Sequence, residues 1–164
     1  FAKFLFVLDG QARVGGSGRS FLMVANSLLH VPAKATHHYE DAPGLAVTLY
    51  CIHYWPNVLP AVIYERLASQ GILHWRLGTP GVGVARSFRS DFQEMLFEQV
   101  GRREGWQWMV QVCLGHLAVR ALRLSRRHRS PDELQFEKGN TSAERSRIPL
   151  RKPCRVAVAE RVAR

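Results

Sequence analysis

The chain has only three cysteines, Cys51, Cys113 and Cys154, and no CxxC pair. An odd and scattered set of this kind signals neither a disulfide framework nor a zinc finger. Cys51 and His53 share a strand face, but two candidate ligands do not make a metal site, and no metal is expected. No apolar run reaches the roughly 18 residues of a membrane helix, so no membrane partner is expected. Acidic residues are also few, 13 against 23 Lys and Arg, which leaves a formal net charge of +10. An initiator Met is missing too, and the opening FAKFLFVLD reads as a strand of a processed or partial product rather than a targeting peptide. What remains is an ordinary folding composition, 46% hydrophobic and 22% charged over 164 residues. That suffices for one ordinary domain or two small ones.

The positive charge is unevenly placed. Residues 1–115 carry ten Lys and Arg against eight Asp and Glu, whereas residues 116–164 carry thirteen against five. RLSRRHR (123–129) and RSRIPLRKPCR (145–155) hold most of the excess. Charge of this density calls for a polyanionic partner, with nucleic-acid phosphate as the default.

Periodicity gives an α+β chain. Ala2–Leu8 reads as a strand, followed by a Gly-rich turn and a short strand around Ala12–Val14. Leu22, Met23, Ala25, Leu28 and Leu29 recur at helical spacing and predict a helix from Phe21 to about His38. Leu45–Trp55 alternates as a strand, Pro60–Gln70 is ambiguous, and Gly71–Leu77 reads as a strand. GTPGVGVAR (78–86) is a second Gly-rich turn, leading into a helix over Ser87–Val100. Phe88, Phe92, Met95, Leu96 and Val100 form that helix's buried stripe, leaving Asp91, Glu94 and Glu98 on a solvated face. Trp106–Cys113 alternates as a strand, and Leu117–Leu124 begins a last helix that runs into the arginines. From Ser142 the composition predicts order only on contact with a partner.

The motif that most invites a chemical reading is LDGQARVGGSGRS (8–20). A Walker A loop needs G-x-x-x-x-G-K-[ST], yet Arg13 stands where its first glycine would fall and Arg19 replaces the lysine. The dinucleotide pattern fails as well, because Phe21 occupies its third glycine position. What survives is general: glycines admit backbone N–H groups to a phosphate, and Arg13 and Arg19 add charge ahead of a predicted helix. A plain hairpin turn is the simpler reading of the glycines alone. His37 and His38, with Glu40 and Asp41 beside them, are explained by the end of the predicted helix. No catalytic triad is suggested by local spacing, and no enzyme or cofactor is expected.

FLFVLDGQARVGGSGRS resembles the signature of the S-five family of small-subunit ribosomal proteins, a strand running into D-G-x-G-R-V-G-x-G-x-G-K. Asp9, Gly10, Arg13, Val14, Gly15, Gly16, Gly18 and Arg19 match, with one residue missing after Gly15 and Ala12 in place of a glycine. HHYED (37–41), the turn at Gly81–Gly83, the helix ending Val100-Gly101 and Glu137-Lys138-Gly139 follow in a similar order. Residues 56–70 look like an insertion, and residues 142–164 have no counterpart. The resemblance implies a partial double-stranded-RNA-binding-like domain over residues 1–42, an S-five C-terminal-like α+β domain over 43–140, and a basic extension over 141–164. It implies a structural role in the small ribosomal subunit of an organelle, the mitochondrial matrix first and a plastid or other ribosome as alternatives, supporting translation and decoding accuracy. Its partners would be ribosomal RNA and neighbouring proteins of S-four and S-eight type, near the side where messenger RNA enters. The residues expected at RNA are Lys3, Arg13, Gly15, Gly16, Ser17, Gly18, Arg19, Arg86, Arg89, Arg126, Arg127, Arg129, Arg151 and Lys152. The alternative is an ATP-binding phosphotransferase-like domain using the Gly-rich loop 78–87, although no lysine or carboxylate accompanies that loop in sequence.

Overall fold

A computed structural model describes residues 1–16, 18–41, 46–78, 83–128 and 157–162. Its first four strands make one long hairpin bent over on itself. Strands β1 (Ala2–Asp9) and β4 (Ser27–Val31) pair antiparallel, as do β2 (Gln11–Gly16) and β3 (Arg19–Val24). Both bends fall at left-handed backbone, Gly10 at φ 78° and Asn26 at φ 64°. Glycine takes that conformation without a Cβ penalty, and asparagine tolerates it better than most residues. At Gly10 a Cβ would collide with the Ala46 carbonyl, so this corner admits no side chain. Asn26, itself buried, donates its N–H to the Val7 carbonyl at 2.9 Å and accepts from Leu77 N–H at 3.2 Å.

The bent hairpin feeds two antiparallel sheets. The larger has the order β7-β4-β1-β6-β8, with β6 at Thr48–Tyr54, β7 at Leu73–Arg76 and β8 at Ala157–Val162. The smaller has the order β3-β2-β5, with β5 at His37–Asp41. Strands from either side of residues 42–45 thus lie side by side in the large sheet. Three helices complete the described fold: α1 (Ala61–Ala68), α2 (Gly83–Gly101) and α3 (Trp106–His128). The chain is mixed α+β, as its composition and periodicity predict.

Strand alternation assigns each face of the large sheet to one neighbour. Phe4, Phe6, Leu28, Tyr50, Ile52 and Tyr54 turn to the helices, where Phe88, Phe92, Met95, Leu114, Leu117 and Ala121 meet them. Leu5, Val7, Leu29, Val31 and Leu49 turn to the small sheet and pack on Ala12, Val14 and Met23. Phe92 sits between Phe6 and Tyr50, each ring 5.8 Å away.

Several expectations are corrected. The helix predicted over Phe21–His38 is β3, a corner and β4, because two short strands joined by a two-residue bend repeat their apolar residues at nearly helical spacing. HHYED is an edge strand, so a helix dipole has no part in its histidines. The strand predicted over Trp106–Cys113 is the first half of α3. Its alternation arises because Val110 and Leu114 are buried while Trp108 and Val112 stay exposed. Val100 leaves the stripe of α2, at 75% exposed, and Glu98 enters it, at 5% exposed and ion-paired with Arg103. Residues 157–162 pair with β6 within the chain itself, so this part of the basic extension is a strand of the large sheet.

Candidate nucleic-acid interface

The two Gly-rich stretches come out differently. In the first, Gly15 lies beneath the His38 ring and Gly16 against Ile72 and the Thr36 carbonyl, so both glycines are packing positions. Gly18, at φ 73° with open space around it, turns the β2–β3 hairpin. Strand β3 follows where the phosphate reading calls for a helix N-terminus. Arg13 is exposed on the outer face of the small sheet, flanked in register by Leu22 and Glu40.

The second stretch launches α2 at Gly83. Helices α2 and α3 run antiparallel, which sets the first turns of α2 against the last turns of α3. Gly83, Val84, Ser87 and Phe88 of α2 and Arg120, Arg123 and Leu124 of α3 line a shallow pocket of about 190 Å³ there. Arg120 donates to Ser87 Oγ at 2.8 Å and to the Asp91 carboxylate at 2.9 Å. His116 approaches the other Asp91 oxygen at 3.4 Å. Asp91 is therefore a brace between helices, not the solvated residue its helical position suggests. Arg86 and Arg123 are exposed at this end and Arg89 is half-buried. Arg126 and Arg127 follow on the last turn of α3. By position along the two helices, Arg86, Arg89, Arg123, Arg126 and Arg127 thus belong to the same end of the hairpin as the braced Arg120.

Lys3, at the opposite reach of the chain's first strand, has a different setting. Its Nζ donates to His37 Nε2 at 3.0 Å, while His37 Nδ1–H donates to the Ala35 carbonyl at 2.9 Å. The same ammonium lies 6.0 Å from the Tyr39 ring centre. His53 stands opposite Lys3 in the β1–β6 register. Burial holds the His53 pKa below its ordinary value, and Lys3, the Phe1 amine and His37 lower it further.

Of the expected RNA residues, the fold brings Arg86, Arg89, Arg126 and Arg127 to one end of the helix pair and leaves Lys3 and Arg13 elsewhere. Ser17, Arg129, Arg151 and Lys152 lie outside the described residues, and Arg19, Arg126 and Arg127 are placed by backbone alone. Sequence reasoning missed Arg120 and Arg123. Their spacing of three, continuing into RRHR along one helix, was the available signal. It also missed the Lys3–His37–His53 grouping, which depends on strand pairing across 34 residues and more.

Little else in the described structure is poised for chemistry. Burial, with Asp91, Glu94 and Glu98 nearby, pushes the Cys113 thiol up and keeps it protonated. His30 is fully buried, bonded to Tyr54 Oη at 2.8 Å, and burial lowers its pKa to about 3. Among the described residues no group of three His, Cys, Asp or Glu could hold a metal ion, and no helix is long and apolar enough to cross a membrane. Compared with known proteins, the chain matches no protein family and no curated protein.

Proposed function

We propose that this chain binds the phosphate backbone of RNA through the basic end of the α2–α3 hairpin. The observation that carries the reading is positional: Arg86 and Arg89 lie on the first turns of α2, and Arg120, Arg123, Arg126 and Arg127 on the last turns of α3, at the same end of two packed helices. Arginine's planar fork suits phosphate, and such contacts position a protein on a nucleic acid without reading its sequence. The net charge of +10 supports the same partner. Held by Asp91 and Ser87, the Arg120 guanidinium is pre-oriented and needs little further ordering on binding.

The narrower proposal is a structural constituent of an organellar small ribosomal subunit, working without catalysis. It rests on the S-five resemblance at residues 9–19 and on the order of later elements. Strands β3 and β4 stand where the apolar spacing predicts a helix after the Gly-rich motif, so the double-stranded-RNA-binding-like and S-five C-terminal-like domain types carry less weight than RNA binding itself. The test is twofold. Binding to an RNA duplex should weaken with salt, and Arg86→Ala with Arg123→Ala should reduce the log–log slope by about 0.9 for each phosphate contact removed. The full chain should also co-sediment with small ribosomal subunits in an organelle lysate. Salt-independent binding would overturn the first reading, and absence from subunits the second. The pocket at Ser87 and Arg120 keeps the phosphotransferase alternative measurable: ATP hydrolysis by the isolated chain, lost in Arg120→Ala, would favour it.

A further inference from the structure

The face of the large sheet that covers the small sheet carries a different surface at its far end. Alternation along β1 and β6 places Phe1, Lys3, His53 and Trp55 on one face, opposite to Ala2, Phe4, Ile52 and Tyr54. The Phe1 and Trp55 rings lie 4.0 Å apart, and Phe1 lies 6.4 Å from His53. His53 pairs in register with Lys3, and Lys3 reaches His37 and the Tyr39 ring on β5. The His37 and Tyr39 rings meet edge-on at 5.4 Å. A continuous string of rings with one ammonium, Lys3, among them therefore crosses from the large sheet to the edge of the small one. Its three outermost rings are open to solvent: Phe1 at 54%, Trp55 at 43% and Tyr39 at 38% exposed.

Core packing does not explain large rings left this exposed, and although rings alone would suit a protein-docking surface, the lysine in their midst is of a type depleted at the centre of such interfaces. Exposed rings around a lysine ammonium, on a chain of net charge +10, match a strand that offers base faces and phosphates in alternation. Base–aromatic stacking tolerates any sequence, since every base has a π face.

We propose that Trp55, Phe1 and Tyr39 form a stacking platform for unpaired bases of single-stranded nucleic acid, with the Lys3 ammonium, oriented by His37, facing its phosphates. This extends the RNA-binding reading, on which its choice of partner rests, to a second surface with a different substrate class. The helix end would grip backbone of any form, whereas the platform would select strands whose bases are free.

The test uses the full chain and fluorescence anisotropy with four probes: oligouridylate and oligothymidylate of about a dozen nucleotides, an RNA duplex of equal length, and inorganic polyphosphate. Trp55→Ala and Tyr39→Ala should each weaken single-strand binding about 5- to 150-fold, the range expected for one lost stack, and leave duplex and polyphosphate affinities unchanged. Trp55→Phe should restore most of the affinity, while Trp55→Leu, which keeps apolar cover without a π face, should not. Circular dichroism and thermal melting identify any variant that has unfolded, and Tyr39→Ala then carries the result. Equal losses on all probes, or none on the single strands, would overturn the platform. If the duplex binds with its normal salt slope and single strands do not, the platform fails and the helix-end reading stands. If nothing binds, both fail. Equal affinity for the two oligonucleotides would show that the ring faces, not the 2′-hydroxyl, do the recognising, and a uridylate preference above tenfold would overturn a purely stacking mechanism.

Discussion

The two Gly-rich, arginine-bearing stretches, residues 10–19 and 78–86, have similar compositions and opposite fates. In the first the glycines are consumed by structure: Gly10 makes a corner, Gly15 and Gly16 admit close packing, and Gly18 turns a hairpin. In the second the chain opens α2, whose first turns meet arginines delivered by α3. The difference lies in what the fold sets opposite each turn. On the proposed reading the second stretch is the better phosphate candidate, because the helix that follows it packs beside Arg120 and Arg123 of α3.

The most damaging change to the second region should be Phe92→Ala. It would leave a cavity between Phe6 and Tyr50 and should cost about 3–5 kcal/mol. Chemical denaturation reads this directly, and RNA binding should be lost with the helix pair. A cost under about 1 kcal/mol would mean that α2 is not anchored as described.

Within the first region, glycines of equal composition should differ in cost. Gly10→Ala combines left-handed backbone with a collision against the Ala46 carbonyl and should cost about 2–4 kcal/mol. Gly18→Ala meets open space and should cost only the backbone preference, about 1 kcal/mol. Equal losses would break the distinction between corner and turn.

His30, on β4 between the two regions, gives a pH signature. Its pKa falls from an ordinary 6.5 to about 3 on folding, so the unfolded chain binds the extra proton in between. Its contribution is complete above pH 6.5 and is lost as pH falls toward 3, at about 1.4 kcal/mol per pH unit. Burial also lowers His74, with Arg76 adding to the effect, and this contributes in the same direction. His30→Gln, which no longer titrates, should flatten the acid limb of a stability–pH curve, and an unchanged limb would show that His30 does not report.

Much of the fold was legible where a single neighbour decides each residue. β1, β6 and β7 show clean runs or alternation, and α2 shows its stripe at Phe88, Phe92 and Met95, because each presents one face to one layer. The reading failed where the chain changes layers. The Ala25-Asn26 corner carries β3 of the small sheet into β4 of the large one, and the apolar residues on both sides imitate a helical period. It failed again in α3, whose exposed Trp108 and Val112 mimic a strand's alternation. At the candidate site the arginines were visible as charge, but their meeting point was not. That required the antiparallel packing of α2 and α3, which no local pattern encodes.

The central claim, that the helix end and not the first Gly-rich turn grips the phosphate backbone, is tested most directly by the salt dependence of RNA-duplex binding in two variants. Replacing Arg86, Arg89 and Arg123 together by alanine should lower the log–log slope by about two to three units. Arg13→Ala, at a position paired in register with Glu40, should lower it by well under about one unit. The reverse order, or an unchanged slope in the triple variant, would contradict the account.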